Sequence, residues 1–327
     1  MRGTDAKALA GRVLEGDRRA LAQAITRIES NLAEDRGLAK ELLQELIPHS
    51  GNSFRIGISG VPGVGKSTFI ESLGNHLIDT GHKVAVLAVD PSSAISGGSI
   101  LGDKTRMERL SQRQEAFIRP SPAGETLGGV ARRTRETMLI AEAAGFDIVL
   151  VETVGVGQSE TTVSRMTDMF VLMLLPGGGD ELQGIKRGIV ELADMILVNK
   201  ADGDMALTAE LSVTDYRKAL MFLRPRTPNW EVPVEACSAF NPEQTARTWE
   251  LMRNFHENRQ AAGQIDTLRA AQARDWMWNE IRNGLVERLT ASPDVAARIR
   301  ELEKAVTENK LSPTSAADKL MDIFVGK

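Results

Sequence analysis

The string Gly60-Val61-Pro62-Gly63-Val64-Gly65-Lys66-Ser67 places two glycines, a lysine and a hydroxyl at the spacing G-x-x-x-x-G-K-[ST]. That spacing suits a phosphate chain: glycines let successive backbone N–H groups curl around the anion, and a helix starting at the lysine adds a favourable field. Lys66 can reach the β and γ phosphates, Ser67 can put its hydroxyl on Mg²⁺, and Thr68 continues the helix N-terminus. Mg²⁺ needs further hard oxygen ligands. Three acids stand where strands end or loops begin: Asp90 closes VLAVD, Asp103 lies in GGSILGDKTRM, and Glu152 closes DIVLVE ahead of TVGVG. Asp103 reads equally well as an acid that starts a helix.

A second string, Asn199-Lys200-Ala201-Asp202, follows the apolar run DMILV and matches N-K-x-D. A carboxylate in the fourth position can accept from both N1–H and the 2-amino group of guanine, whereas adenine offers neither donor there. Asn199 would supply an amide near the base edge, and the Lys200 stem would cover the ring. Ser238-Ala239, after VPVEAC, reads as a companion loop touching the base through backbone groups. Phosphoryl transfer then needs charge compensation and an oriented water more than a strong base. Gln158 and Glu160 in GVGQSE, and Lys186 in the glycine-rich GGGDELQGIKRG, compete for that work, and the residues alone do not separate Gln158 from Lys186. Arg132 and Arg133 in GGVARRTRET could also enter the site, although at helical spacing such a pair more often reads as a solvated face.

These groups need a scaffold. Residues 5 to 47 carry apolar side chains at helical period and stop at Pro48. The period then shortens in the runs 54–60, 83–90, 147–152, 168–176, 194–200 and 232–239. Helix-like segments separate most of these runs, which predicts a buried, largely parallel sheet flanked by helices. From about 262 the chain turns helical again, with Trp276, Trp278, Ile281, Leu285, Val286 and Leu289 expected on one broad face and Ser315 as cap of a last short helix. The expected parts are an N-terminal helical extension (1–50), a nucleotide domain (51–260) and a C-terminal helical arm (261–327). The arm either packs on the nucleotide domain or pairs with a second copy.

Over 327 residues the net charge is −4, which gives no bulk attraction to nucleic acid or acidic lipid. Cys237 is the only cysteine, so neither an internal disulfide nor a thiolate cluster can form within one chain. The opening MRGTDAKALAGRVLEGDRRALAQAI lacks an apolar core before a cleavage site, and no run reaches bilayer length, so a cytoplasmic setting is expected.

Taken with GVPGVGKSTF, KVAVLAVDPSS, GGSILGDKTRM, LGGVARRTRETM, EAAGFDIVLVETVGVGQSE, GGGDELQGIKRGI and ELADMILVNKADGD, the chain resembles the methylmalonyl-CoA mutase-associated GTPases, the ArgK-type G-protein chaperones of adenosylcobalamin-dependent mutases. The resemblance implies an α/β P-loop GTPase with N- and C-terminal helical extensions. It implies GTP/GDP and Mg²⁺ as ligands, with Asp90, Asp103 and Glu152 joining Ser67 at the metal. It implies homodimerisation through the C-terminal helices, slow intrinsic turnover raised by an acyl-CoA mutase, and a cobalamin adenosyltransferase as a further partner. By the same resemblance the catalytic assignment moves towards Lys186, and Asp180 and Gln183 communicate with a partner or dimer mate. Glu152 stands where Ras-like GTPases carry an aspartate, and glutamate is the pattern in the resembled family. A metal-insertion GTPase is the alternative reading, but it would want clustered His or Cys, and His49, His76, His82 and His256 are scattered.

Overall fold

A computed structural model describes residues 5–30, 32–89, 107–120, 127–153, 159–177, 187–223 and 226–326. Seven strands form one sheet in the order β3-β2-β4-β1-β5-β6-β7, every neighbouring pair parallel. They are β1 (Phe54–Gly60), β2 (Val84–Val89), β3 (Ala116–Arg119), β4 (Ile148–Thr153), β5 (Met169–Leu174), β6 (Met195–Val198) and β7 (Val234–Ala236). The central strand β1 has successors on both sides, so the crevice outside its C-terminal end lies at a topological switch point, where open α/β sheets bind ligands.

The helices fill the two faces. Helices α1 (Ala6–Leu14), α2 (Arg18–Glu29) and α3 (Ala33–Leu46) close the N-terminal segment, and Pro48 falls in a 3₁₀ turn, Ile47–His49, directly after α3. Asp5 and Asp17 cap α1 and α2 through their carboxylates. Then come α4 (Lys66–Asp79), α5 (Glu108–Gln112), α6 (Leu127–Ala143), α7 (Ser159–Ser164), α8 (Arg187–Val190), α9 (Ala206–Leu220) and α10 (Pro242–Ala261). Alternation along each strand decides which residue meets which helix. Ile56, Ile58, Leu150, Val171 and Leu197 share a core with Phe69 and Leu73 of α4 and Met252 and Phe255 of α10. Val149, Val151 and Phe170 share the opposite core with Leu21 and Ile25 of α2 and with Ile140 of α6. The N-terminal helices thus cover part of the sheet.

Three acids that precede strands have a structural task. Asp147, Asp168 and Asp194 accept the main-chain N–H of Lys83, Arg55 and Phe170 at 2.7, 2.9 and 2.9 Å, satisfying donors at the N-terminal ends of neighbouring strands. Beside them Glu142 of α6 takes Arg55 in a bidentate pair at 2.7 and 2.8 Å. Burial pushes the Glu142 carboxyl up, but Arg55, the Ser53 hydroxyl and the Gly51 N–H outweigh it and hold the group below the ordinary value.

Strand β3 escaped the sequence reading. It has four residues and only two fully buried positions, so it carries too short an apolar run to stand out. Both edges of the sheet are capped by arginine: Arg18 donates to the outward carbonyl of Ala116 at 2.7 Å, and Arg217 to that of Val234 at 2.7 Å.

The chain divides into two compact units, 1–268 and 269–327. Helix α11 (Gln264–Ala291) is followed by α12 (Pro293–Thr307) and α13 (Pro313–Val325). Two expectations there need correction. Ser312, not Ser315, caps α13, since its hydroxyl accepts the Ser315 N–H at 3.1 Å. Trp276 also does not share a face with Trp278, because two residues turn a helix by roughly 200°. Trp278, Leu285 and Val286 remain exposed within their own unit, and Val295 and Ala316 are the buried apolar residues of α12 and α13. Among the described residues no helix is long and apolar enough to cross a membrane.

Candidate functional site

Strand β1 ends at Gly60, and only glycine fits there. A Cβ would lie 2.3 Å from the carbonyl oxygen of Met173, because the loop leaves the sheet hard against β5. The loop turns through Val61–Val64 and enters α4 at Gly65, whose φ of 95° is left-handed. Val64 is fully buried beneath the loop, while Pro62 and Gly63 are exposed at its crest. Lys66, Ser67 and Thr68 form the first turn of α4, where main-chain N–H groups lie ahead of the helix's own hydrogen-bond ladder. Lys66 is 8 % exposed, and its ammonium donates to the carbonyls of Gly60 at 2.8 Å and Val61 at 3.3 Å. The loop's own carbonyls therefore hold the charge that a phosphate would take.

Ser67 and Glu152 meet. The Ser67 hydroxyl donates to Glu152 Oε1 at 3.0 Å, joining the start of α4 to the end of β4 across 85 residues of sequence. Both offer hard oxygens, the chemistry Mg²⁺ selects, so this pair fits one side of a magnesium site. Glu152 is 4 % exposed, and next to it Thr153 donates to Ser59 Oγ at 3.0 Å, which ties β4 to β1 below the loop. Asp90 and Asp103 lie outside the described residues, as do Gln158, Asp180, Gln183 and Lys186. Glu160 is buried in the first turn of α7. Of the basic pair, Arg132 fits the solvated-face reading and pairs with Glu136, but Arg133 is buried, contrary to that reading, so the helical spacing of the pair spans two environments.

Asn199 makes a contact that its motif alone does not reveal. It is 2 % exposed, and its Nδ2 donates to the Val64 carbonyl at 2.7 Å, while Oδ1 has no partner among the described residues. The nearest atom to a Cβ built on Gly65 is that same Nδ2, at 2.7 Å, so Gly65 and Asn199 are matched in space. The asparagine thus braces the phosphate loop, a contact that sequence spacing cannot show because 135 residues separate the partners. Lys200 takes a left-handed φ of 61°, and Asp202, exposed, opens a 3₁₀ turn at Gly203–Met205. A carboxylate so presented can meet a base.

The last strand supplies the facing wall. Ala201 N–H donates to Cys237 O at 3.1 Å, and Cys237 N–H to Val198 O at 2.8 Å, so the turn Ser238–Ala239–Phe240 stands beside the N-K-x-D loop. Ser238 and Ala239 are buried and Phe240 is 80 % exposed. The Cys237 thiol is pushed up to about 11 by burial, which removes it from nucleophilic chemistry. Asp194, whose carboxyl burial raises against Arg226, Thr227 and the Phe170 N–H, sits at the opposite end of β6 and belongs to the scaffold.

The family model described as methylmalonyl-CoA mutase-associated GTPase MeaB matches residues 21–294. A protein of Caulobacter vibrioides named putative GTPase is 52 % identical over 320 residues, covering 98 % of each chain. The methylmalonic aciduria type A homolog, mitochondrial, of Mus musculus is 46 % identical and covers 95 % of this chain and 78 % of its own. A crystal structure titled LAO/AO transport system kinase superposes with a TM-score of 0.79 at 36 % identity, over 100 % of this chain and 99 % of that one.

Proposed function

The chain belongs to the methylmalonyl-CoA mutase-associated GTPase family MeaB, and from that membership we propose that this GTPase is the chaperone of an adenosylcobalamin-dependent acyl-CoA mutase, methylmalonyl-CoA mutase first among them. The observation that carries the site assignment is the convergence, at the C-terminal end of β1, of the phosphate loop with Glu152 on one side and Asn199 on the other.

The roles follow from position. The glycines and main-chain donors of Gly60–Thr68 cradle the phosphates, and Lys66 exchanges the Gly60 and Val61 carbonyls for β and γ oxygens. Ser67 and Glu152 would hold Mg²⁺ directly or through water, joined by Asp90 and Asp103 on the family resemblance, and the metal would neutralise charge on the phosphates. Asp202 accepts from guanine N1–H and the 2-amino group, Lys200 covers the ring, and the Ser238–Ala239 turn closes the third side. Asn199 braces the loop by holding Val64 and offers the rest of its amide near the base edge. Lys186 compensates developing charge, and Asp180 and Gln183 relay the presence of the partner or dimer mate, three assignments that rest on the family resemblance; Gln158, read from its place in GVGQSE, is the competing group for orienting the attacking water. The protein works in the cytoplasm as a homodimer through its C-terminal helices, for which the exposed Trp278, Leu285 and Val286 offer apolar area, and it gates cofactor loading from a cobalamin adenosyltransferase.

The test is the lifetime of the mutase. Holo-mutase turning over its substrate is expected to lose activity more slowly with this chain and GTP than with the chain and no nucleotide. Equal loss with and without the chain, for every acyl-CoA mutase of the source organism, contradicts the chaperone reading. Metal insertion is then the reading to pursue.

A further inference from the structure

Guanine differs from adenine by two donors, N1–H and the 2-amino group, and one acceptor, O6. Asp202 can answer only the donors. The acceptor needs an N–H, and the turn after β7 stands beside the N-K-x-D loop through the bond from Ala201 N–H to Cys237 O. Within that turn Ser238 N–H is given to Gln244 Oε1 at 2.7 Å, Phe240 N–H to Ser238 Oγ at 3.3 Å, and Asn241 N–H to Ser238 O at 3.0 Å. Ala239 N–H is given to no acceptor among the described residues, which leaves it for O6.

Gln244 is what sets this division. It is the third residue of α10, after Pro242 in the first position, and its own N–H is held by the capping Asn241 Oδ1 at 3.3 Å. From there its side chain folds back over the helix start, as glutamine does in a capping box, but reaches Ser238 beyond the cap. Ser238 is 2 % exposed, so water cannot readily replace the lost acceptor. Without Gln244 Oε1 the turn must rotate to satisfy a buried donor, and the next peptide rotates with it.

We propose that Gln244 is a positioning residue for base recognition: by taking Ser238 N–H it aims Ala239 N–H at guanine O6. This rests on the guanine reading above and extends it to a residue outside the motifs.

The experiment compares GTP, inosine triphosphate and ATP binding, by calorimetry with Mg²⁺, for the full chain and its Gln244→Leu and Gln244→Glu variants. Inosine keeps O6 and lacks the 2-amino group. Gln244→Leu is expected to weaken GTP and inosine triphosphate alike, about tenfold, with ATP unchanged. Gln244→Glu keeps an acceptor and should recover most of the loss; where leucine prevents folding, Gln244→Ala serves. Unchanged GTP binding in Gln244→Leu, equal loss of all three nucleotides, or no recovery with glutamate each overturns the assignment. An Asp202→Asn control separates the two levels. Guanine preference lost there and untouched in Gln244→Leu sinks only the role of Gln244, whereas a wild-type chain that binds ATP as well as GTP sinks the guanine reading itself.

Discussion

Replacing Asn199 by alanine separates a brace from a base contact. Its Nδ2 donates to the carbonyl of Val64, a fully buried residue, and Asn199 itself is 2 % exposed. Truncation strands that carbonyl where water does not reach, at a cost of about 1–3 kcal/mol. For a unit of this size that corresponds to a fall in melting temperature of roughly 2–5 °C. The loss belongs to the nucleotide-free protein, because the bond joins two parts of the chain. It also loosens the loop at Gly65, so GDP and GTP binding both weaken. Asp202→Ala is the contrast: the residue is exposed, so the melting temperature should stay within about 2 °C while guanine preference collapses. Scanning calorimetry without nucleotide, followed by titration with GDP, reads both quantities. An Asn199→Ala protein that melts with the wild type while losing nucleotide affinity would refute the brace and leave Asn199 only its place at the base edge.

Other outcomes follow from the same geometry. Gly60→Ala puts a Cβ 2.3 Å from the Met173 carbonyl, so soluble expression or GTP binding should be lost even though alanine is small. Ser67→Ala and Glu152→Gln should each raise the Mg²⁺ concentration needed for half-maximal hydrolysis, with GDP binding in chelator little changed; equal Mg²⁺ dependence in both variants and wild type contradicts the metal assignment. Glu142 is held below its ordinary value when folded, so its contribution is fully present above about pH 4.3 and is lost as the pH falls through the lower folded value. Glu142→Gln should cost about 3 kcal/mol at pH 7 by leaving the Arg55 charge unpaired, and should flatten the acid limb of a plot of melting temperature against pH.

The parallel sheet was legible because its buried strands are long apolar runs between helical segments, and the phosphate loop because its mechanism needs fixed residues at fixed spacing. Strand β3 was not, since its four residues carry no periodic signal and Arg18 closes its outer edge from a distant helix. The acids at 147, 168 and 194 looked like ordinary strand starts, and their bonds to neighbouring strands appear only once strand order is known. The bond from Asn199 to the phosphate loop could not be read for the same reason: its partner Val64 is local in space and remote in sequence. Gln244 carries no motif at all, and its acceptor role depends on how α10 follows the last turn. The cap at Ser312 was within reach, because a proline follows it at the first helical position, where proline is favoured.

The most direct test is GTP hydrolysis by the purified chain, alone and with each acyl-CoA mutase of its source organism, with ATP as control and Lys186→Ala beside the wild type. The account predicts slow turnover alone, stimulation by one mutase, strong preference for GTP, and loss of the stimulated rate in Lys186→Ala with GTP affinity intact. Measurable GTP binding with no stimulation by any mutase would contradict the partnership.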